Sequence, residues 1–161
     1  MADWCFDSAA ESQTLDLGEQ LGRLLGQSAL ILLQGDLGAG KSVLARGIAR
    51  GLGVPGDVPI TSPTFTLMNH YPARLDLYHF DLYRISDPDE LIEIGFDDYA
   101  FGNGVALVEW PERLENEQTP GLWIQLYYVG ADRRRIEFTA KSPEAEQLLR
   151  VLKDACRTDN V

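Results

Sequence analysis

Two runs in the chain are apolar at every position, Ala29-Leu30-Ile31-Leu32-Leu33 and Val105-Ala106-Leu107-Val108. A strand that shows neither face to water has this pattern, so both runs predict central strands of a parallel sheet. Elsewhere the apolar positions are periodic. Thr14 to Leu25 carries Leu15, Leu17, Leu21, Leu24 and Leu25, and Val43 to Leu52 carries Val43, Leu44, Ile48 and Leu52. Both spacings put a stripe on one helix face, with Ser12 or Thr14 as candidate N-cap of the first helix. Trp4-Cys5-Phe6 predicts a short edge strand. Thr64 to Tyr71 and Leu75 to Tyr83 predict an antiparallel hairpin turning at Pro72-Ala73-Arg74; Leu122 to Val129 and Arg134 to Thr139 predict another, turning at Gly130-Ala131-Asp132. Pro88 to Ile94 reads as a helix with Asp87 as N-cap and Glu90 closing a capping box, and Gly95 to Phe101 as a second short one. A last helix spans Pro143 to Cys156, capped by Ser142. Strands alternating with helices around two buried runs predict an α/β sandwich whose hairpins add antiparallel strands to a partly parallel sheet.

Between the first apolar run and the second helix lies Gly35-Asp36-Leu37-Gly38-Ala39-Gly40-Lys41-Ser42, a complete G-x-x-x-x-G-K-[ST] loop. Its four fixed positions coincide by chance in about one chain in two hundred of this length. Strand, glycine loop and helix in that order supply backbone N–H groups and a helix N-terminus that cradle a polyphosphate. The binding residues are then Asp36, Leu37, Gly38, Ala39, Gly40, Lys41, Ser42 and Val43, with Lys41 on the outer phosphates and the Ser42 hydroxyl on Mg²⁺. The fold expected is a P-loop NTPase-like three-layer sandwich with a mixed parallel/antiparallel central sheet, one domain over residues 1–161.

A Mg²⁺–nucleotide site needs acids at the C-terminal ends of the strands beside the loop. Asp81 follows Leu77-Tyr78-His79-Phe80, and Glu109 follows the run 105–108. A carboxylate at a buried strand end is costly unless a cation or hydrogen bonds satisfy it. Both are therefore candidate metal ligands; the alternative is a helix-cap or salt-bridge role, for example with Arg84. Asp36 and Asp76 are weaker rivals. Thr64, in Ser62-Pro63-Thr64-Phe65-Thr66, is either a hydroxyl for the terminal phosphate or metal, or simply a good strand residue. Pairing with Asp87 or Glu90 is the favoured role of Arg84, and core packing is favoured over a lid for Trp110.

Charge narrows the partners. Fourteen basic residues against 25 acidic give −11, the wrong sign for gripping nucleic acid by its phosphates, so no tight direct nucleic-acid binding is expected. The one basic cluster, Arg133-Arg134-Arg135, reads as a polar hairpin end. The N-terminus lacks a signal-peptide pattern, no apolar stretch nears the ~20 residues that span a bilayer, and Cys5 and Cys156 form no motif; a cytoplasmic chain is expected. His70 and His79 have no partner set with zinc-ligand spacing. An Asn-Lys-x-Asp guanine-reading motif is missing, and only Arg84 and Arg113 fall between the candidate metal ligands and position 132, too few for an arginine-rich kinase lid.

The loop 35–42, then Ser62-Pro63-Thr64-Phe65-Thr66-Leu67, then His79-Phe80-Asp81-Leu82-Tyr83-Arg84, then Val108-Glu109-Trp110-Pro111-Glu112 together resemble the TsaE (YjeE) family, bacterial ATPases required for the threonylcarbamoyl-adenosine modification of tRNA. The likeness runs from about Thr14 to Arg113 and includes Leu15-Asp16-Leu17-Gly18 and Asp87-Pro88-Asp89-Glu90-Leu91; beyond residue 120 it is weak, and Ser42 stands where the family more often has threonine. The resemblance implies ATP rather than GTP, and Mg²⁺ held by Ser42 and Glu109, with Asp81 assisting the metal or the attacking water. It puts Thr64 in a switch-like segment, making Lys41, Thr64, Asp81 and Glu109 the expected catalytic set. It also implies that the helix start, Glu11 to Thr14, lies near the adenine and that one of Arg133, Arg134 and Arg135 approaches the nucleotide. The implied partners are TsaD and TsaB, whose transferase cycle ATP hydrolysis drives. No dedicated arginine finger is evident, so slow turnover without partners is expected. A nucleotide-dependent binding module and a small P-loop kinase are the alternatives.

Overall fold

Both wholly apolar runs become interior strands. The computed structural model describes residues 2–63 and 65–158. In chain order the strands are β1 (Trp4–Ser8), β2 (Ala29–Gln34), β3 (Met68–Tyr71), β4 (Leu77–Asp81), β5 (Val105–Glu109), β6 (Leu122–Gly130) and β7 (Arg133–Ala140). The α-helices are α1 (Glu11–Leu24), α2 (Lys41–Leu52), α3 (Asp89–Glu93), α4 (Phe96–Ala100) and α5 (Pro143–Thr158). One sheet holds the strands in the order β1-β7-β6-β2-β5-β4-β3. Its four middle strands run parallel, while β1, β7 and β3 join antiparallel, so the mixed sheet is as expected.

The alternation of side chains divides the core into two. Ile31 and Leu33 of β2 and Val105 and Leu107 of β5 face one core, shared with α1, α2 and α5. Leu30, Leu32, Ala106 and Val108 face the other, shared with Leu91 of α3 and Phe96 of α4. Every position of these strands is thereby needed as a hydrophobe, which is why the runs show no polar residue. No helix among the described residues is long and apolar enough to cross a membrane.

Several boundaries differ from expectation, each for a local reason. Helix α1 starts at Glu11, and neither Ser12 nor Thr14 caps it. Its start is fixed from both sides: the Ser8 hydroxyl, before the helix, donates to the Ala10 carbonyl, and Gln13 Oε1, in its first turn, accepts the Ala9 N–H at 2.7 Å. The capping box at α3 does not form. Glu90 is taken by the Ser86 hydroxyl at 3.2 Å, and Asp87 closes its own turn on the Asp89 N–H at 3.0 Å. The first hairpin is shorter than its apolar content suggests, because the Leu67 N–H bonds to the Pro63 carbonyl and Leu67 takes a positive φ of 67°. At α5, Ser142 caps as expected, accepting the Ala145 N–H at 3.1 Å.

Helices α1 and α2 meet backbone to backbone. Gly18 and Gly22 of α1 oppose Gly47 and Gly51 of α2, and a Cβ on Gly18 would lie 2.6 Å from the Leu44 carbonyl oxygen and 3.0 Å from the Gly47 Cα. On Gly22 or Gly51 the clash is worse, with the Ile48 or Glu19 carbonyl. Arg74 secures the crossing by donating to the Gly22 and Leu25 carbonyls at 2.8 and 2.5 Å, the end of α1. This contact sets the position of α2, whose first residues are Lys41 and Ser42. Gly51→Ala is expected to lower stability by about 1–3 kcal/mol in urea unfolding, despite alanine's better helix propensity. Gly56→Ala, where a Cβ meets nothing, should stay within about 0.5 kcal/mol; equal effects would contradict the tight crossing.

Candidate functional site

Strand β2 ends at Gln34 and the chain turns through residues 35–40 into α2. Gly40 is the N-cap at φ 103°, a left-handed conformation that a side chain would strain. The Ala39 N–H closes on the Asp36 carbonyl at 3.1 Å, and Ala39 itself is anchored in the core, leaving Asp36, Leu37 and Gly38 as an exposed crest. The N–H groups of Lys41, Ser42 and Val43 begin the helix and so have no carbonyl one turn earlier to bond. They and the positive end of the helix dipole face out of the loop, the chemistry an anion seeks. Ser42 is exposed at this end.

Lys41 is the unusual member. It is only 6% exposed, and its Nζ has no hydrogen-bond partner. It rests 4.0 Å from the ring centroid of Trp110. Burial lowers its pKa below the usual 10.5, against an opposing pull from Glu109, Glu112, Asp81 and Asp36. Trp110 follows Glu109 with φ 59°, rare for so bulky a residue, and packs on Tyr83 and the second core. It therefore serves both readings, packing on the core with one part and facing the site with another.

Asp81 and Glu109 are the last residues of β4 and β5 and stand opposite each other in register. Both are buried, at 7% and 4% exposed, and among the described residues neither has a lysine or arginine in ion-pair reach. Glu109 Oε2 instead accepts a hydrogen bond from His79 Nε2 at 2.7 Å and one from the Ser62 hydroxyl at 3.5 Å. Asp81 Oδ1 accepts the Tyr83 N–H at 3.0 Å. His79 Nδ1 is buried without a partner. The neutral tautomer with its proton on Nε2 leaves only a lone pair unmatched, whereas the imidazolium would strand an N–H donor.

Zinc-ligand spacing gives no sign of the role of His79. Its signal was its place: two residues before Asp81 on a strand, hence on the same sheet face. Ser62 likewise carries no signal of its own in the sequence. Asp76 lies at the other end of β4, paired with His70 at 3.3 Å, and takes no part. Arg84 does not pair with Asp87 or Glu90; its guanidinium lies 4.5 Å over the exposed Phe65 ring, a contact open to it because Phe65 has no core to enter. Thr64 falls outside the described residues.

On the far side of the loop, Glu11, Thr14, Gly40, Val43, Asp132 and Arg134 line a recess of about 40 Å³. The Thr14 hydroxyl is engaged by Ser8 at 2.7 Å, and Glu11 pairs with Arg46 at 3.4 Å. Of the three consecutive arginines, Arg134 reaches the loop, donating to the Gly38 carbonyl at 3.1 Å and stacking on Tyr128 at 4.8 Å. Strand alternation sends Arg135 the other way, to Cys5 Sγ at 3.3 Å.

An unpartnered ammonium and open amides fit a phosphate chain; two buried carboxylates and an exposed serine hydroxyl fit a divalent cation. No cluster of three or more His, Cys, Asp or Glu side chains able to hold a metal occurs among the described residues. A cation here would draw its remaining ligands from Ser42 and phosphate oxygens.

Comparison with known proteins identifies the family. The family model described as "Threonylcarbamoyl adenosine biosynthesis protein TsaE" matches residues 8–137. The tRNA threonylcarbamoyladenosine biosynthesis protein TsaE of Bacillus subtilis (strain 168) is 43% identical over 135 residues, covering 82% of this chain and 80% of its own. That of Nostoc sp. (strain PCC 7120) is 40% identical over 136 residues, 81% of this chain and 82% of its own. The crystal structure of Bacillus subtilis YdiB aligns with a TM-score of 0.77 at 33% identity, covering 96% of this chain and 97% of that one. The chain belongs to the TsaE family of threonylcarbamoyl adenosine biosynthesis proteins.

Proposed function

We propose that this protein is a Mg²⁺-dependent ATP hydrolase acting in threonylcarbamoyladenosine modification of tRNA, and that hydrolysis drives the cycle of a TsaD–TsaB transferase complex. The observation that carries this reading is the convergence of one buried, unbonded ammonium and two buried carboxylates, without lysine or arginine partners among the described residues, on a single glycine loop. The open amides of residues 41–43 take the phosphates, and Lys41 exchanges the Trp110 ring for the outer ones. Mg²⁺, when bound, neutralises charge on the phosphates and orients them for in-line attack. Ser42 and Glu109 are the residues that would hold it. His79 fixes the rotamer of Glu109, and Asp81 would assist the metal or orient the attacking water. Thr64 supplies a hydroxyl to the terminal phosphate in this reading. The recess beside Arg134 is too small to bury a purine, so the adenine rests across it, against Glu11, Thr14 and Val43.

Neither Arg134, behind the loop, nor Arg84, on Phe65, is aimed at the Lys41 side of the site. Without such a cation, turnover is slow until a partner completes or reshapes the site. Phosphate release from Mg²⁺–ATP is expected to rise at least about tenfold with the TsaD–TsaB pair, and to fall about 10²-fold in Glu109→Gln. Fast release, unchanged by the pair or by Glu109→Gln, would contradict the reading.

The buried ammonium costs stability in the unliganded protein. Because its folded pKa lies below the unfolded value, that cost is full below the folded pKa and fades as pH rises through it toward 10.5. Lys41→Met is therefore expected to be more stable than the parent at pH 7, with the gap narrowing near about pH 10, and to lose the thermal stabilisation by ATP. Denaturant and thermal unfolding at the two pH values check this; a less stable Lys41→Met at pH 7 contradicts it.

A further inference from the structure

The second core opens onto a groove of about 520 Å³ that the phosphate loop does not use, between α3 and α4 on one side and residues 114–120 on the other. Leu91, Phe96 and Leu114 give it apolar walls, and Ile92 and Phe101 stand at its rim, 77% and 57% exposed. Neither rim side chain contributes to the packed core. Single exposed hydrophobes are ordinary, but two bordering an apolar groove form a patch. The charge around it is one-sided. Residues 85–120 hold ten acidic side chains and one basic, Arg113. Asp87, Asp89, Glu93, Asp97, Asp98, Glu115 and Glu117 are all exposed, and none joins an ion pair among the described residues. Asp89, Asp97 and Asp98 lie in the first turns of α3 and α4, and Asp87 closes a turn. Glu93, Glu115 and Glu117 have no such local role, and like charges so concentrated repel one another.

We propose that this groove docks an amphipathic segment of a partner protein, apolar along the stripe that enters the groove and rich in lysine or arginine on its flanks. The apolar stripe covers Ile92 and Phe101 and supplies affinity; the acidic rim speeds encounter and fixes orientation. A second copy of this chain brings −11 of the same sign, and nucleic acid brings phosphates, so both are repelled by the same rim. The proposal does not depend on nucleotide chemistry.

The test uses the full chain and a helix-forming peptide of about 14 residues built from leucine and lysine with the leucines on one face. Amide chemical-shift changes are expected at residues 88–101 and 114–120. Affinity should fall at least about tenfold in the Ile92→Ser/Phe101→Ser double variant, and several-fold when NaCl rises from about 0.05 to about 0.5 M. Both substituted positions are exposed, so the double variant keeps the parent's melting temperature. Shifts elsewhere, equal affinity of the double variant, or equal binding of a leucine–glutamate peptide would overturn the proposal. So would a concentration-dependent dimer, seen by sedimentation, that the double variant abolishes.

Discussion

Three ionisable side chains, Lys41, Asp81 and Glu109, are buried at the C-terminal edge of the parallel strands without forming ion pairs with one another or with any other lysine, arginine or carboxylate among the described residues. Removing such groups from water costs several kcal/mol each in the absence of good partners. The fold recovers part of this: the Trp110 ring faces the ammonium, His79 and Ser62 donate to Glu109, and the Tyr83 amide donates to Asp81. What remains unsatisfied is complementary to a phosphate chain carrying a divalent cation. The left-handed Trp110 is a further sign that the surrounding structure holds this edge in a conformation the local chain would not choose.

The rest of the molecule makes that edge rigid. Strand β2 is flanked in parallel by β5 and β6, so the loop after it emerges between strand ends on both sides. Register then brings Leu33 opposite Glu109 and Glu109 opposite Asp81. From below, the glycine-on-glycine crossing of α1 and α2 leaves α2 little freedom to shift, because contacts between backbones cannot be relieved by rotamer changes. Arg74 joins the end of α1 to the hairpin that leads into β4. A small fold thereby ties Lys41, Asp81 and Glu109 to a shared frame.

Much of this was legible in the residues. The two all-apolar runs specified the central strands because both of their faces are buried, and the loop 35–42 specified the strand–turn–helix unit because each of its fixed residues has one task. That Asp81 and Glu109 end buried strands was readable because each follows a run of mostly apolar residues. What eluded the sequence depended on contacts between distant segments. His79 and Ser62 gain meaning only when β5 brings Glu109 to them, and Arg134 is chosen from its neighbours by the alternation of β7. The glycines of α1 and α2 carry no signal along the chain; only the crossing reveals why no side chain fits there. Arg84 was assigned an acidic neighbour by proximity along the chain, but an exposed ring lay closer in space.

The account stands on Glu109 and the loop serving the same cation. Calorimetric titration of ATP with Mg²⁺ and with EDTA, in the parent and in Glu109→Gln, measures this directly. Mg²⁺ is expected to tighten ATP binding at least about tenfold in the parent and about twofold or less in Glu109→Gln. The same Mg²⁺ enhancement in both proteins would show that the carboxylate and the phosphates do not share an ion.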